Sequence, residues 1–303
     1  MILGFKTGPK NFLEGQKIVE DLGASMCEVW FDVTKAESYS DMINWLQRHN
    51  VSMGLHHWGV IDGKIKTNLS TQDEHIRTET KKQIKRTIDI GADIGCAYVN
   101  AHPGAQAIET IDFTNWKQDM LPGGMASVED AAKFLLESAQ ELTEYADSKQ
   151  VLLTLESLTA RESIINHDRN AIYDAGNTTL ANLEKVANAG AWFANDISHT
   201  GSHFLLSEES PTAAWNALIE FSGRMASRTR LVHMNVITPP YNGTDSHDGI
   251  TDTDFEQETF PDKDGARTFL ELFKGRNDIY IVNEPKEYHG ENYLALVELA
   301  KGL

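Results

Sequence analysis

Residues 192–199 read WFANDISH: an apolar run from Trp192 that gives way to Asn195 and Asp196 and then, three residues later, to His199. A short run rich in aromatic residues, followed at once by polar side chains, is the pattern of a strand buried on both faces whose C-terminal end opens into a loop. The same figure recurs along the chain. Strand-like runs are expected at Ile2–Phe5, Met26–Asp32, Val51–His57, Cys96–His102, Val151–Glu156, Trp192–Asp196, Leu231–Asn235 and Asp278–Glu284. Between them lie longer amphipathic stretches with apolar residues at helical steps, such as Ile84 and Ile88, or Phe134, Leu135, Ala139 and Leu142. Thr71 with Glu74 and Ser127 with Asp130 have the spacing of helix-starting caps. Strands alternating with helices require a parallel sheet, and eight such rounds close most naturally into a (β/α)8 barrel. No GxGxxG turn follows the first strand, which lowers the alternative of an open doubly wound sheet. A single barrel domain over residues 1–303 is the expectation.

Composition narrows the function classes. Apolar residues make up 41% of the 303 and charged residues 24%, the balance of an ordinary globular chain. The formal net charge of −18 disfavours a protein built to wrap a nucleic-acid backbone, although bound metal ions can make one local field positive. Cys27 and Cys96 lie in separate apolar runs without a CxxC spacing, so neither a thiolate zinc site nor a disulfide is expected. No stretch approaches eighteen apolar residues and the N-terminus carries no signal-peptide pattern, which makes a cytoplasmic protein without membrane contact the expectation. A homo-oligomer is compatible with all of this.

In a barrel, the last residues of every strand converge on one mouth however distant they are in sequence. Here those residues are ligand types: His56 and His57, His102, Glu156, Asp196 with His199, His233, and Glu284, joined by Asp245 and His247 from the long loop after the seventh strand. Crowding carboxylates and imidazoles into one cavity costs several kcal/mol unless cations or hydrogen bonds neutralise them. A divalent metal site is the simplest account, and mixed imidazole and carboxylate donors suit zinc, manganese, cobalt or iron. Between His56 and His57, strand parity decides which faces the mouth, and His57 is the one expected.

These strand ends resemble those of the xylose isomerase-like barrel superfamily, which includes sugar isomerases and epimerases and the endonuclease IV family of abasic-site nucleases. The likeness to the nucleases rests on His57, the His-Pro-Gly of 102–104, Glu156, Asp196 with His199, His233, Asp245 with His247, and Glu284. The resemblance implies that these nine residues hold up to three zinc ions. The epimerases use a smaller set around one manganese-like ion, here Glu156, Asp196, His233 and Glu284, with Glu162 matching a further glutamate of that family. This chain departs from the nucleases in running Asp248-Gly249-Ile250-Thr251-Asp252 where they carry Gly-x-Gly, and from the epimerases in placing Pro239 and Pro240 where an arginine is common.

Two enzymes and one binding protein are therefore in view. In the first, one to three ions of manganese, zinc or cobalt polarise a small sugar, sugar phosphate or polyol, with Glu156 and Glu284 as the acid/base pair of an isomerase or epimerase. His199 would then orient a substrate hydroxyl, Glu162 would contact the substrate, and Trp58, Trp30 or Phe31 would supply an apolar wall. In the second, a zinc cluster hydrolyses a phosphodiester at abasic sites in DNA. The third is a metal- or ligand-binding barrel without turnover. The acidity of the chain tips the balance to the first.

Overall fold

The structure, a computed structural model, describes residues 1–165 and 168–303. Eight parallel strands close into a barrel: β1 (Ile2–Thr7), β2 (Met26–Asp32), β3 (Ser52–Trp58), β4 (Tyr98–Ala101), β5 (Leu153–Glu156), β6 (Trp192–Asp196), β7 (Thr229–Met234) and β8 (Tyr280–Asn283). β1 pairs with both β2 and β8, which closes the ring. The strands expected from sequence are all present, two with the expected bounds. The others are shifted by up to two residues at an end, because polar residues such as His102, Asn235 and Glu284 lie just beyond the ladder.

Helices pack outside the barrel, and the apolar steps read from sequence point inward: Ile84, Ile88, Leu135, Ala139 and Leu142 are buried against the outer faces of Val29, Leu55 and Val99. Ser127 caps helix Val128–Ser148 by accepting from the Asp130 amide. The helix Glu74–Ile94 starts differently from the expectation. Its cap is Asp73, whose carboxylate accepts from the Ile76 amide, whereas Thr71 is buried in the preceding loop. Among the described residues no helix is long and apolar enough to cross a membrane.

Alternate residues of each strand point into the barrel, and its lower interior is an apolar plug of Met26, Tyr98, Ala194, Leu231 and Val282. Gly54 makes room for it, since a Cβ there would overlap the Tyr98 ring. At the C-terminal end the long loops carry small structures that periodicity did not reveal. Val60–Ile61, Ile65–Lys66, Glu109–Asp112 and Lys117–Met120 form a four-stranded sheet, and Glu162–Ser163 pairs with Ile172–Tyr173. Strands of two to four residues are too short to show a clear alternating pattern.

Candidate metal centre

Above the plug, the next inward position of every strand is polar or ionisable: Lys6, Glu28, His56, Asn100, Glu156, Asp196, His233 and, just past β8, Glu284. All are buried. With His102, His199 and His247 they bring ligand atoms within 4.8 Å of one another in one group at the floor, of Glu28, His56, His233 and Glu284, and in a series of three above it: His56, His102 and Glu156; Glu156, Asp196, His233 and Glu284; Asp196, His199 and His247. Glu156 is shared by the first two groups of the series and Asp196 by the last two, so these groups make one continuous cluster.

Local chemistry leaves the relevant atoms free to face it. Asp196 caps helix Ile197–Ser207 with Oδ1, which accepts the His199 amide at 2.9 Å. Its Oδ2 is thereby turned toward the mouth, 3.6 Å from His199 Nδ1 and 3.7 Å from His233 Nδ1. Asp245 likewise spends Oδ1 on the His247 amide at 2.7 Å, which leaves Oδ2 facing His199 Nε2 at 3.5 Å and paired with His247. Asn100 donates to Glu156 and is itself held by Thr154 Oγ1 at 2.9 Å. The loop bearing Asp245 and His247 is fastened by Arg169, whose guanidinium donates to the carbonyls of Thr238 and Pro240, each at 2.6 Å.

Carboxylates and imidazoles of the cluster hold one another's charge. Burial works against ionised carboxylates, yet His233 and Lys6 outweigh it at Glu28, His233 and His56 at Glu156, and His247 and His199 at Asp245, holding all three well below the usual carboxylate range. Burial would lower the histidines, but Glu156, Glu28 and Glu284 raise His233, and Asp196 with Asp245 raises His199. Both imidazoles are thereby held well above their usual range. Among the described residues, Glu284 Oε2 is buried without a hydrogen-bond partner although it lies 3.1 Å from His233 Nδ1. A buried carboxylate oxygen of this kind, beside an imidazole nitrogen, is a donor that a divalent cation could take, so the residues fit a metal.

The expected site residues fall into place unevenly. Glu156, Asp196, His233, Glu284, His102, His199, Asp245 and His247 meet in the mouth. His57 does not: its ring faces the helix layer, with Nδ1 2.8 Å from Thr87 Oγ1, and burial takes its pKa down to about 3. The residue in the mouth is His56, because inward parity on β3 runs through Gly54, His56 and Trp58. Trp58 lies on the mouth side, 6.5 Å from Trp30, which stands 4.9 Å from the His56 ring. Phe31 has the opposite parity and packs on Tyr39, away from the mouth. Glu162 is held by Asn177 at 2.9 Å in the loop hairpin over the rim, with Lys66 3.9 Å away.

Lys6 and Glu28 are not among the ligands expected from sequence, which came from the ends of the third to eighth strands and the loop after the seventh. They form an ion pair of 2.5 Å at the floor of the cluster, and Lys6 also reaches Glu284 at 2.9 Å. A charge at an inward position within an otherwise apolar run, as in GFKT (4–7) and MCEVWF (26–31), is the signal that could have found them.

No curated protein sequence matches the chain. Among solved structures, a 3-keto-D-glucoside 4-epimerase from E. coli superposes over 99% of this chain and 98% of its own, with a TM-score of 0.62 and 17% identity. A D-tagatose 3-epimerase-like protein covers 98% and 96% at 0.64 and 13%. Endonuclease IV from Thermus thermophilus covers 99% and 97% at 0.58 and 14%. At such identities the likeness shows the fold alone, but the sequence pattern of one family matches residues 17–247 directly. The chain belongs to the xylose isomerase-like TIM barrel family.

Proposed function

We propose that the chain is a divalent-metal hydrolase of phosphate esters, with the chemistry of the endonuclease IV branch of its family. The observation that carries this reading is the continuity of the cluster. Three ligand groups are linked through Glu156 and Asp196, and they use His56, His102, His199 and His247, which a single-ion epimerase does not need. The acidity of the chain leaned towards a sugar; the continuity of the cluster, with His56 standing where His57 was expected, favours the phosphate ester.

Ions held there would supply Lewis-acid charge to a phosphoryl group and a nucleophile at neutral pH. The chain's own part is to fix that charge. Glu156 and Asp196 join neighbouring positions, so the ligand groups keep a constant spacing. Asp196 gains rigidity from its helix cap, and Asp245 and His247 from the loop that Arg169 fastens. Trp30 and Trp58 give one side of the mouth an apolar wall against which a sugar or base could rest. The net charge of −18 favours a small or single-stranded phosphodiester over a duplex.

A second reading is supported by the four-ligand group alone. Glu156, Asp196, His233 and Glu284 match the epimerase set, and Glu156 and Glu284 would exchange a proton with a ketose carbon. One assay separates the two: zinc- or manganese-loaded protein is given bis-p-nitrophenyl phosphate, an abasic-site duplex, and a panel of ketoses. Phosphodiester cleavage that disappears in Glu156→Gln is expected. Ketose epimerisation without any phosphodiester cleavage would overturn the hydrolase reading.

A further inference from the structure

We infer that Glu28 is a positioning residue for the metal centre, a carboxylate that orients its histidine His233 from behind. This rests on the reading of the mouth as a metal site. His233 presents Nδ1 to Glu156, Asp196 and Glu284, at 3.1, 3.7 and 3.1 Å. Its other nitrogen, Nε2, lies 3.0 Å from Glu28 Oε1 and 3.1 Å from Oε2. His56 presents Nε2 to Glu156 Oε2 at 3.3 Å and to His102 at 3.1 Å, and its Nδ1 lies 3.2 Å from the same Glu28 Oε1. An imidazole can give its lone pair to a cation through one nitrogen only when the other carries the proton. Glu28 is the acceptor for that proton on His233, whereas at His56 Nδ1 the hydrogen-bond partner is the Lys6 ammonium, itself paired with Glu28.

Lys6 completes the device. Glu28 is fully buried on β2, where an unpaired carboxylate would be very costly, and the Lys6 ammonium supplies the balancing charge at 2.5 Å. The same ammonium lies beside His56 Nδ1 and 2.9 Å from Glu284 Oε1. Lys6 therefore stands among Glu28, His56 and Glu284, a set of donors that with His233 could otherwise gather round an ion. Its presence leaves Glu28 an outer partner and not a ligand. Outer carboxylates of this kind are worth about 10–100-fold in metal affinity.

The experiment measures zinc stoichiometry and affinity, by competition with a chromophoric chelator, for the wild-type chain, Glu28→Gln, and the charge-balanced double variant Lys6→Met/Glu28→Gln. The double variant removes the risk that the lost Lys6–Glu28 ion pair unfolds the single one. Melting curves of the metal-free proteins and the visible spectra of their cobalt forms accompany the titrations. The expected result is unchanged stoichiometry, affinity about 10–100-fold weaker in both variants, and a shifted cobalt spectrum while the metal-free fold persists. Unchanged affinity and spectrum would overturn the inference, as would the loss of one ion, which would make Glu28 a ligand. A wild-type chain that binds no zinc would instead overturn the metal reading itself, and the inference with it.

Discussion

Two layers of the barrel interior lie two residues apart on the same strands and could hardly differ more. The lower holds Met26, Tyr98, Ala194, Leu231 and Val282; the upper, on the same faces, holds Glu28, Asn100, Asp196, His233 and Glu284. Both layers are buried, so burial does not distinguish them. The lower layer gains free energy by leaving water, whereas each ionisable group of the upper layer costs several kcal/mol that its neighbours only partly return. A fold seeking stability alone would continue the plug upward. The change of chemistry across one turn of pleat therefore marks where the barrel stops being scaffold and becomes site.

The sharpest way to break that contrast is to substitute the residue that joins two ligand groups. Glu156→Gln is expected to reduce phosphodiester turnover by about 10³-fold or more, while far-UV circular dichroism stays unchanged. Turnover within tenfold of wild type would mean that the upper layer is not the reacting site. The reciprocal substitution in the plug, Leu231→Ala, is expected to cost about 2–5 kcal/mol of stability in urea denaturation while zinc stoichiometry is retained. Loss of zinc in that variant, with the fold intact, would mean that the two layers are not separable.

A smaller effect distinguishes the inside of the barrel wall from the outside. His56 and His57 are neighbours in sequence, but only His56 shares the cluster. Burial holds His57 neutral in the fold with a pKa of about 3, against an unfolded value of about 6.5. Between those values the unfolded chain binds a proton that the folded chain does not, so His57 lowers stability as pH falls through that window and has no such effect above it. The wild-type chain should lose up to about 1.4 kcal/mol per pH unit more than His57→Gln between roughly pH 6 and 3.5. Equal slopes in the two would place His57 in contact with water or with the cluster.

How much of this could be read from sequence follows from the same geometry. The alternation of apolar runs and amphipathic stretches carried the barrel, because each strand is buried on both faces and each helix on one. Eight of the residues named in advance meet in the mouth, since polar residues after apolar runs converge there in any closed parallel barrel. The exception was a matter of parity: in Leu55-His56-His57 nothing in the letters says which imidazole points inward, and only pairing with β2 and β4 fixes the register. Lys6 and Glu28 escaped for the opposite reason, being placed inside their strands and not at the ends. The rim structures around Glu109 and Glu162 depend on contacts between distant loops, which a single sequence does not display.

The account rests on cations shared among side chains drawn from residue 56 to residue 284. Anomalous diffraction at the zinc edge, from crystals of the wild-type chain grown with zinc, tests it most directly. Separate peaks are expected within the His56–His102–Glu156 group, the Glu156–Asp196–His233–Glu284 group and the Asp196–His199–His247 group. A single peak confined to the four-ligand group would contradict the multi-ion hydrolase, and a mouth without any zinc peak would contradict the metal centre altogether.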